Sequence, residues 1–555
     1  MSQLNLLFNM RWKTLRNLNR IVSRQSSFKV LFILGFSAFM LFGLWWVFYS
    51  GFVFVDRLGG VGMIVIPRLF SFFFLSLTAM LILSSILTTY TTLYRSEEIP
   101  YLLLNPLSLS DLIIFKHVES AFFASWAFFF IIIPFVGAYA WYENMPWYFS
   151  VWTLIFSIPF TFLCSSIGIL ITILMVRFVP RTRRFWGPAI LLLCAYTLWW
   201  WVNRVPLQNT RENAILMINR FVPFLGVASW PLQPGWWISE GILSVTRGQW
   251  TRGAIFFTLL LSNGLFLALC IEWCGRRFFY DGWQRTLSTE RRAQRRQIML
   301  RRSEALFRWL PSDFRALIFK DIRIFLRDPQ QWIQAVFFFG MLAVYFFSLG
   351  NLHYRSLPPV WKNIITFLNV FSIACVLCSL SSRFIYPQMS LEGQAFWIIG
   401  MAPTTMWRVL FAKFLLSFFS MLIISAGLMT ISTGMLDVPQ EIRHMSVFIA
   451  VCISAAVAGL STGNGAIFID LKQRNTSAIV SGFGGTLNLV LCLAFMLLCI
   501  FPTASLFHAK QMGRIGPLLF DRLHGGMIGA LSVATLLCTF IPLLIARKSL
   551  MNRDY

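Results

Sequence analysis

The sequence predicts an all-α integral membrane protein, and three observations carry the prediction. Hydrophobic residues make up 57% of the 555-residue chain, charged residues only 12%, and the mean hydropathy is +0.70; a soluble protein carries about 25% charged residues. The apolar residues come in long unbroken runs, as helices in hydrocarbon require, whereas a transmembrane barrel would alternate and need a polar lumen. Finally, 47 Lys and Arg oppose 21 Asp and Glu, a net charge of +26. Positive residues that hold membrane loops on the cytoplasmic side and contact anionic lipid account for this excess, so no nucleic-acid partner is expected. Together these features exclude a soluble enzyme and a disordered chain.

Taken in order, the chain opens on a basic amphipathic segment. Leu4, Phe8, Trp12, Leu15, Leu18 and Val22 recur at helical spacing, with Arg11, Lys13, Arg16, Arg20 and Arg24 among them, the pattern of a helix in the membrane interface. Six apolar runs follow: Phe28–Tyr49, Met63–Leu93, Leu112–Ala140, Tyr148–Val176, Phe185–Val202 and Gly253–Cys274. The first is too long for a signal-peptide core and lacks a clear small-residue cleavage site, so it is expected to remain as a span. Six more are Trp332–Leu349, Ile364–Tyr386, Val409–Thr433, Val447–Ile469, Ile479–Phe501 and Met527–Ala546. Most have the ~20 residues that cross a bilayer, about twelve spans in all.

The strongly charged stretch with Arg291, Arg292, Arg295, Arg296, Arg301 and Arg302 reads as a cytoplasmic connector. The expected domains are therefore 1–275, a first six-helix half with its amphipathic helix; 276–311, a basic linker; and 312–555, a second six-helix half. With the N-terminus inside, most basic residues fall on the cytoplasmic side, Arg177, Arg181, Arg183, Arg184, Lys472, Arg474, Arg547 and Lys548 among them. Both termini are then cytoplasmic.

The halves resemble one another beyond hydropathy. The first has YRSEEIPYLLLNPLSLSDLIIFK from Tyr94 to Lys116, the second LEGQAFWIIGMAPTTMWRVLFAK from Leu391 to Lys413. Pro106 and Pro403 stand 297 residues apart, as do Lys116 and Lys413, and aligning Glu97 with Glu392 takes a two-residue insertion. Before its first span the second half has FRALIFKDIRIFLRDP, from Phe314 to Pro329, closed by the helix-stopping Asp328–Pro329. Two parallel repeats of six helices suggest a bundle with a path between the halves, an arrangement suited to transport.

The chemistry absent from the sequence is as informative. There is no GxxxxGK[ST] phosphate loop; SGFGGT, Ser481 to Thr486, is glycine-rich but has no lysine and opens an apolar run, which suits close helix packing. HExxH, GxSxG and metal-binding carboxylate clusters are missing, and the five histidines are scattered. All ten cysteines lie in apolar segments, so Cys375 and Cys378, though spaced CxxC, read as small packing residues. Arg68, Glu119, Glu272, Arg383 and Asp470 lie near span ends, with Glu119 the deepest, about one turn inside the third helix. Energy for active transport is expected from a separate subunit.

These features resemble the permease subunits of type-2 ABC transporters, the ABC exporter class. The resemblance rests on the amphipathic leading helix, the six spans, the loop SEEIPYLLLNPLS with its weaker copy LEGQAFWIIGMAPTT, and the segment GNGAIFIDLKQRNTSAIVSGFGGTLNLV. The last is similar to the fourth-to-fifth helix connection of bacterial ABC exporters with fused permease halves. The resemblance implies a permease that forms the substrate path by alternating access, has no ATPase site, binds no cofactor itself, and leaves ATP and magnesium to partner ATPase subunits. It implies a multi-pass protein of the bacterial inner membrane.

Glu97, Glu98, Pro106, Glu392, Pro403, Arg323 and Asp328 would then form the ATPase-coupling surface. The single acid Glu392, followed by Gly393, would make the second docking surface unlike the first. Trp12, Arg16, Lys116 and Lys413 would lie at the lipid interface, the lysines meeting lipid phosphate or a loop carboxylate. The Trp- and Pro-rich stretch with Trp230, Pro234, Trp236 and Trp237 would be a lid over the outer mouth or an aromatic belt. Alternatives are a secondary transporter or lipid flippase that needs no ATPase, a lipid-modifying membrane enzyme and a membrane assembly factor. The transported substrate is not named by any residue.

Overall fold

A computed structural model describes residues 3–23, 27–56, 62–94, 96, 98–178, 230–292, 311–327, 359–436, 438–471, 479–480 and 482–552. Among these residues the secondary structure is helical throughout, with no strand. Helices satisfy every backbone N–H and C=O within one segment, as hydrocarbon demands. Nine of them are long and apolar enough to cross a membrane, and a pair bent by 45°, Leu109–Trp126 with Phe128–Tyr142, makes a tenth candidate. The expected spans Phe185–Val202 and Trp332–Leu349 lie outside the described residues. The chain divides into two compact units, Met1–Gln294 and Arg295–Tyr555.

In the first unit α1 (Gln3–Ser23) precedes the long apolar helices α2 (Ser27–Asp56) and α3 (Gly62–Thr89). A π-turn, Tyr90–Tyr94, ends α3 and leads into the short α4 (Glu98–Leu104). Then come α5 (Leu109–Tyr142), α6 (Tyr148–Phe178), α7 (Pro234–Thr246) and α8 (Trp250–Arg292). Phenylalanine dominates the interior: Phe70, Phe74, Phe149, Phe156 and Phe160 are fully enclosed. Between lipid-facing helices such contacts work through dispersion and shape, because lipid tails are as apolar as the core.

The second unit begins with α9 (Ser312–Arg327) and α10 (Pro359–Leu380), and α10 also ends in a π-turn, Ser381–Ile385. Two short 3-10 turns, Tyr386–Gln388 and Ser390–Ala395, and α11 (Phe396–Met401) form the following loop. The helices α12 (Met406–Leu436), α13 (Gln440–Ile467), α14 (Phe483–Gln511) and α15 (Pro517–Met551) complete it. Among the described candidate spans the most enclosed is α13. Its Gly459 and Gly463 form a GxxxG pair against α15: a Cβ on Gly459 would stand 2.6 Å from Thr539 Cα, and one on Gly463 2.7 Å from the Pro542 carbonyl carbon. Only glycine allows two helices so close.

The Trp- and Pro-rich stretch contains α7, whose 13 residues reach about 20 Å, short of the ~30 Å hydrocarbon core. Its Ile238 and Ile242 are buried, Ser239 meets Ser71 of α3 at 2.8 Å, and Trp236 lies edge-on to Phe256 of α8 at 5.3 Å. Trp237 donates to the Pro231 carbonyl at 2.6 Å. Pro234 opens the helix at a position where its missing N–H costs nothing, and Trp230 is exposed.

Candidate functional site

Each unit gathers four charged groups where an amphipathic helix, the loop after the π-turn and the next long helix meet. In the first unit Lys116 of α5 donates to Glu98 Oε2 at 2.8 Å and to Glu119 Oε2 at 2.7 Å. Arg11 of α1 donates to Glu98 at 2.9 Å and also pairs with Glu119. The side chains of Lys116 and Glu119 are 2% and 8% exposed, whereas Arg11 and Glu98 are half-exposed, so the cluster is buried on its α5 side and open on the other. Two cations balance two carboxylates.

Local sequence sets this geometry. Leu4 and Leu7 of α1 pack onto a cluster containing Ile99, Leu102, Leu112 and Ile113, and Arg11 is one helical turn further along the same face. The inward face is therefore Leu4, Leu7 and Arg11; Trp12, expected on the apolar stripe, is exposed, as is Arg16. The chain leaves α4 at Leu104, passes the exposed Pro106 and starts α5 under Ser108. The Ser108 hydroxyl accepts from the Asp111 N–H at 3.1 Å and donates to the Asp111 carboxylate at 2.7 Å, an N-terminal cap. That cap fixes where α5 begins and so where Lys116 and Glu119 fall. Burial alone would raise the Glu98 pKa, but the hydrogen bond and charge of Lys116, with Arg11 beside it, outweigh it and hold the carboxyl below its ordinary value.

The second unit reaches the same balance with a different allocation of groups. Lys413 of α12 donates to Asp321 at 3.0 Å and to Glu392 at 2.8 Å, and Lys320 of α9 pairs with Glu392. Lys413, Asp321 and Glu392 are 2%, 7% and 9% exposed at their side chains. Again two cations meet two carboxylates. The acid that lies on α5 in the first cluster has its counterpart on the amphipathic helix in the second. Pro403, exposed, precedes Thr405, whose hydroxyl accepts from the Arg408 N–H at 3.4 Å; both prolines thus stand two residues before a hydroxyl that begins the long helix. Gly393 has φ +58°, in the left-handed region that favours glycine. A second acid at this position would be strained, a physical reason why the loop has one.

Of the expected residues, Glu98 and Glu392 are thus engaged by Arg11, Lys116, Lys320 and Lys413 of their own chain. Of the two expectations for Lys116 and Lys413, loop carboxylates are what they meet. Arg323 is half-buried on α9, and Glu97 and Asp328 lie outside the described residues. Sequence reasoning missed Lys320 and Asp321. The available signal was a charge on an apolar stripe: Asp321 falls among Phe314, Leu317, Ile318 and Phe325 at three- and four-residue spacing.

Comparison with known proteins decides the family. The family described as "Putative ATP-binding cassette" matches residues 22–555. The chain belongs to this family. No curated protein and no solved structure matches it. Membership in the ATP-binding cassette family corrects four expectations. The chain is not assigned to the permease subunits of the type-2 exporter class, because the match over nearly its whole length points to an ATPase-type protein. The permease function, the absence of an ATPase site and the restriction of ATP and magnesium to a partner fall for the same reason: the family description attaches ATP to this chain. The ABC-transporter setting and the membrane helices stand.

The glycine-rich start of α14 does not itself form a triphosphate cradle. It is filled by its own chain: a Cβ on Gly484 would collide with the Tyr386 hydroxyl and stand 2.6 Å from Phe468 Cβ, and one on Gly485 would collide with the Val480 carbonyl. A phosphate loop instead leaves backbone N–H groups open to the ligand.

Proposed function

We propose that the chain is a membrane-embedded transport protein of the ATP-binding cassette family, in which the two four-group clusters are rigid joints that carry movement into the membrane helices. The observation that carries this reading is the recurrence of one arrangement in both units: a loop acid held at once by a lysine 2% exposed on a long helix and by a cation of an amphipathic helix. Sliding these elements apart would leave a buried ammonium without its loop carboxylate, which costs several kcal/mol. Displacing the loop or the amphipathic helix therefore tilts α5 or α12. The π-turns just before each loop supply a place where helical register can shift, a frequent use of such turns.

In the same reading the units are parallel repeats, both termini are cytoplasmic, and α7 is a lid on the transport path. The recurring clusters and the buried packing of α7 against α3 and α8 support these finer assignments. The experiment is ATP hydrolysis by the purified full-length chain in lipid nanodiscs with magnesium. Wild type should hydrolyse ATP, and Lys116→Met and Lys413→Met should each lower the rate about tenfold or more by uncoupling the joint, equivalent to ~1.4 kcal/mol in the barrier. A purified chain that neither binds nor hydrolyses ATP overturns the reading.

A further inference from the structure

We propose that a groove at the far end of the second unit binds the phosphodiester headgroup of an anionic phospholipid, with the upper part of its acyl chain. The helix α12 has 31 residues, about 45 Å at 1.5 Å per residue. It starts near Lys413 and the ion cluster, so its other end lies at the opposite side of the unit. There Thr430 of α12 joins Gln440, Arg443, His444, Val447 and Phe448 of α13 around an open groove of about 640 Å³. Such a volume holds a ligand of drug size.

The lining is divided by chemistry. Arg443, His444 and Gln440 offer N–H donors, the Thr430 hydroxyl is spent on the Gly427 carbonyl at 2.8 Å, and Val447 and Phe448 make an apolar wall. The described lining residues include no carboxylate, and the neighbouring acid Glu441 is held by Lys510 at 2.6 Å. A guanidinium presents a planar fork of donors that matches two phosphate oxygens. From His444 to Phe448 is four residues, a rise of about 6 Å, so the apolar wall lies one turn deeper along a candidate membrane span that begins at Gln440. An anion without a tail would leave Val447 and Phe448 uncovered, and an apolar molecule without an anionic head would leave the Arg443 guanidinium unmatched. A phospholipid matches both parts, with its phosphate on Arg443 and its chain along Val447 and Phe448.

The test uses the full-length chain in phosphatidylcholine nanodiscs carrying a phosphatidylglycerol probe with a photoreactive group high on one acyl chain. Labelled peptides are mapped by mass spectrometry. Labelling should concentrate on residues 440–448, and unlabelled phosphatidylglycerol should displace it, whereas inorganic phosphate should not. Arg443→Gln should reduce it about tenfold, the loss of one charge-assisted hydrogen bond, and Arg443→Lys should retain part of it. Arg443 is exposed, and His444→Gln gives a second variant in which a smaller loss is expected. Equal labelling by a phosphatidylcholine probe, unchanged yield in Arg443→Gln, or displacement by inorganic phosphate as effective as by the lipid overturns the proposal, the last by making the groove a site for free anions.

Discussion

Lys413 has two carboxylates within 3.0 Å and almost no contact with solvent. Removing its charge leaves Asp321 and Glu392, among the described residues, with the half-exposed Lys320. Lys413→Met should therefore cost about 3–5 kcal/mol, the usual penalty for breaking a buried pair on one side, read as a lowered unfolding midpoint in detergent. Adding Asp321→Asn restores the balance of one cation to one acid and should recover part of the loss, which a double-mutant cycle measures. In the first unit Glu98 sets a pH dependence. Its folded pKa is lowered, so its contribution is fully present above the ordinary carboxylate value of about 4.3 and is lost as pH falls through the folded pKa. Protection against hydrogen exchange at residues 98–108, taken relative to the intrinsic rate at each pH, should hold above the ordinary carboxylate value of about 4.3 and fall as the pH drops below it, and Glu98→Gln should remove that step.

At the scale of elements, the long helices were legible because a bilayer admits so few alternatives, and a run of apolar residues of the right length reads directly as a span. The paired loops were legible from the fixed spacing of Pro106 with Pro403 and Lys116 with Lys413. Which charges meet was not legible, because pairing depends on how α1 and α9 rotate about their axes. The stripe through Leu4, Phe8 and Trp12 is nearly as regular as the one through Leu4, Leu7 and Arg11, and packing against α4 and α5 chooses the second. The bend in α5 and the depth of α7 likewise depend on neighbouring helices. Two backbone predictions belong here. Gly393→Ala should destabilise by about 1–2 kcal/mol through its positive φ, because its nearest neighbour leaves space, at 3.9 Å. Gly463→Val should cost about 1–3 kcal/mol by overpacking, since even a Cβ would meet the Pro542 backbone at 2.7 Å. Thermal unfolding of both variants checks this order.

At the scale of the whole molecule, two units each end their amphipathic helix and loop in a neutral cluster, although the second acid comes from different elements. That conservation of charge balance under a change of position is what a shared mechanical role requires: each long helix keeps one buried lysine locked to the parts that move. The family match attaches this architecture to an ATP-binding cassette setting. The groove lined by Arg443 lies in a different part of its unit, and the lipid proposal stands or falls separately. The most direct measurement is hydrogen exchange of the full-length chain in nanodiscs with and without ATP and magnesium, read at residues 98–108 and 390–405. A joint that transmits movement predicts nucleotide-dependent exchange at both loops in wild type and loss of that response at the second loop in Lys413→Met. Exchange that is indifferent to nucleotide at both loops, or an unaltered response in Lys413→Met, would contradict it.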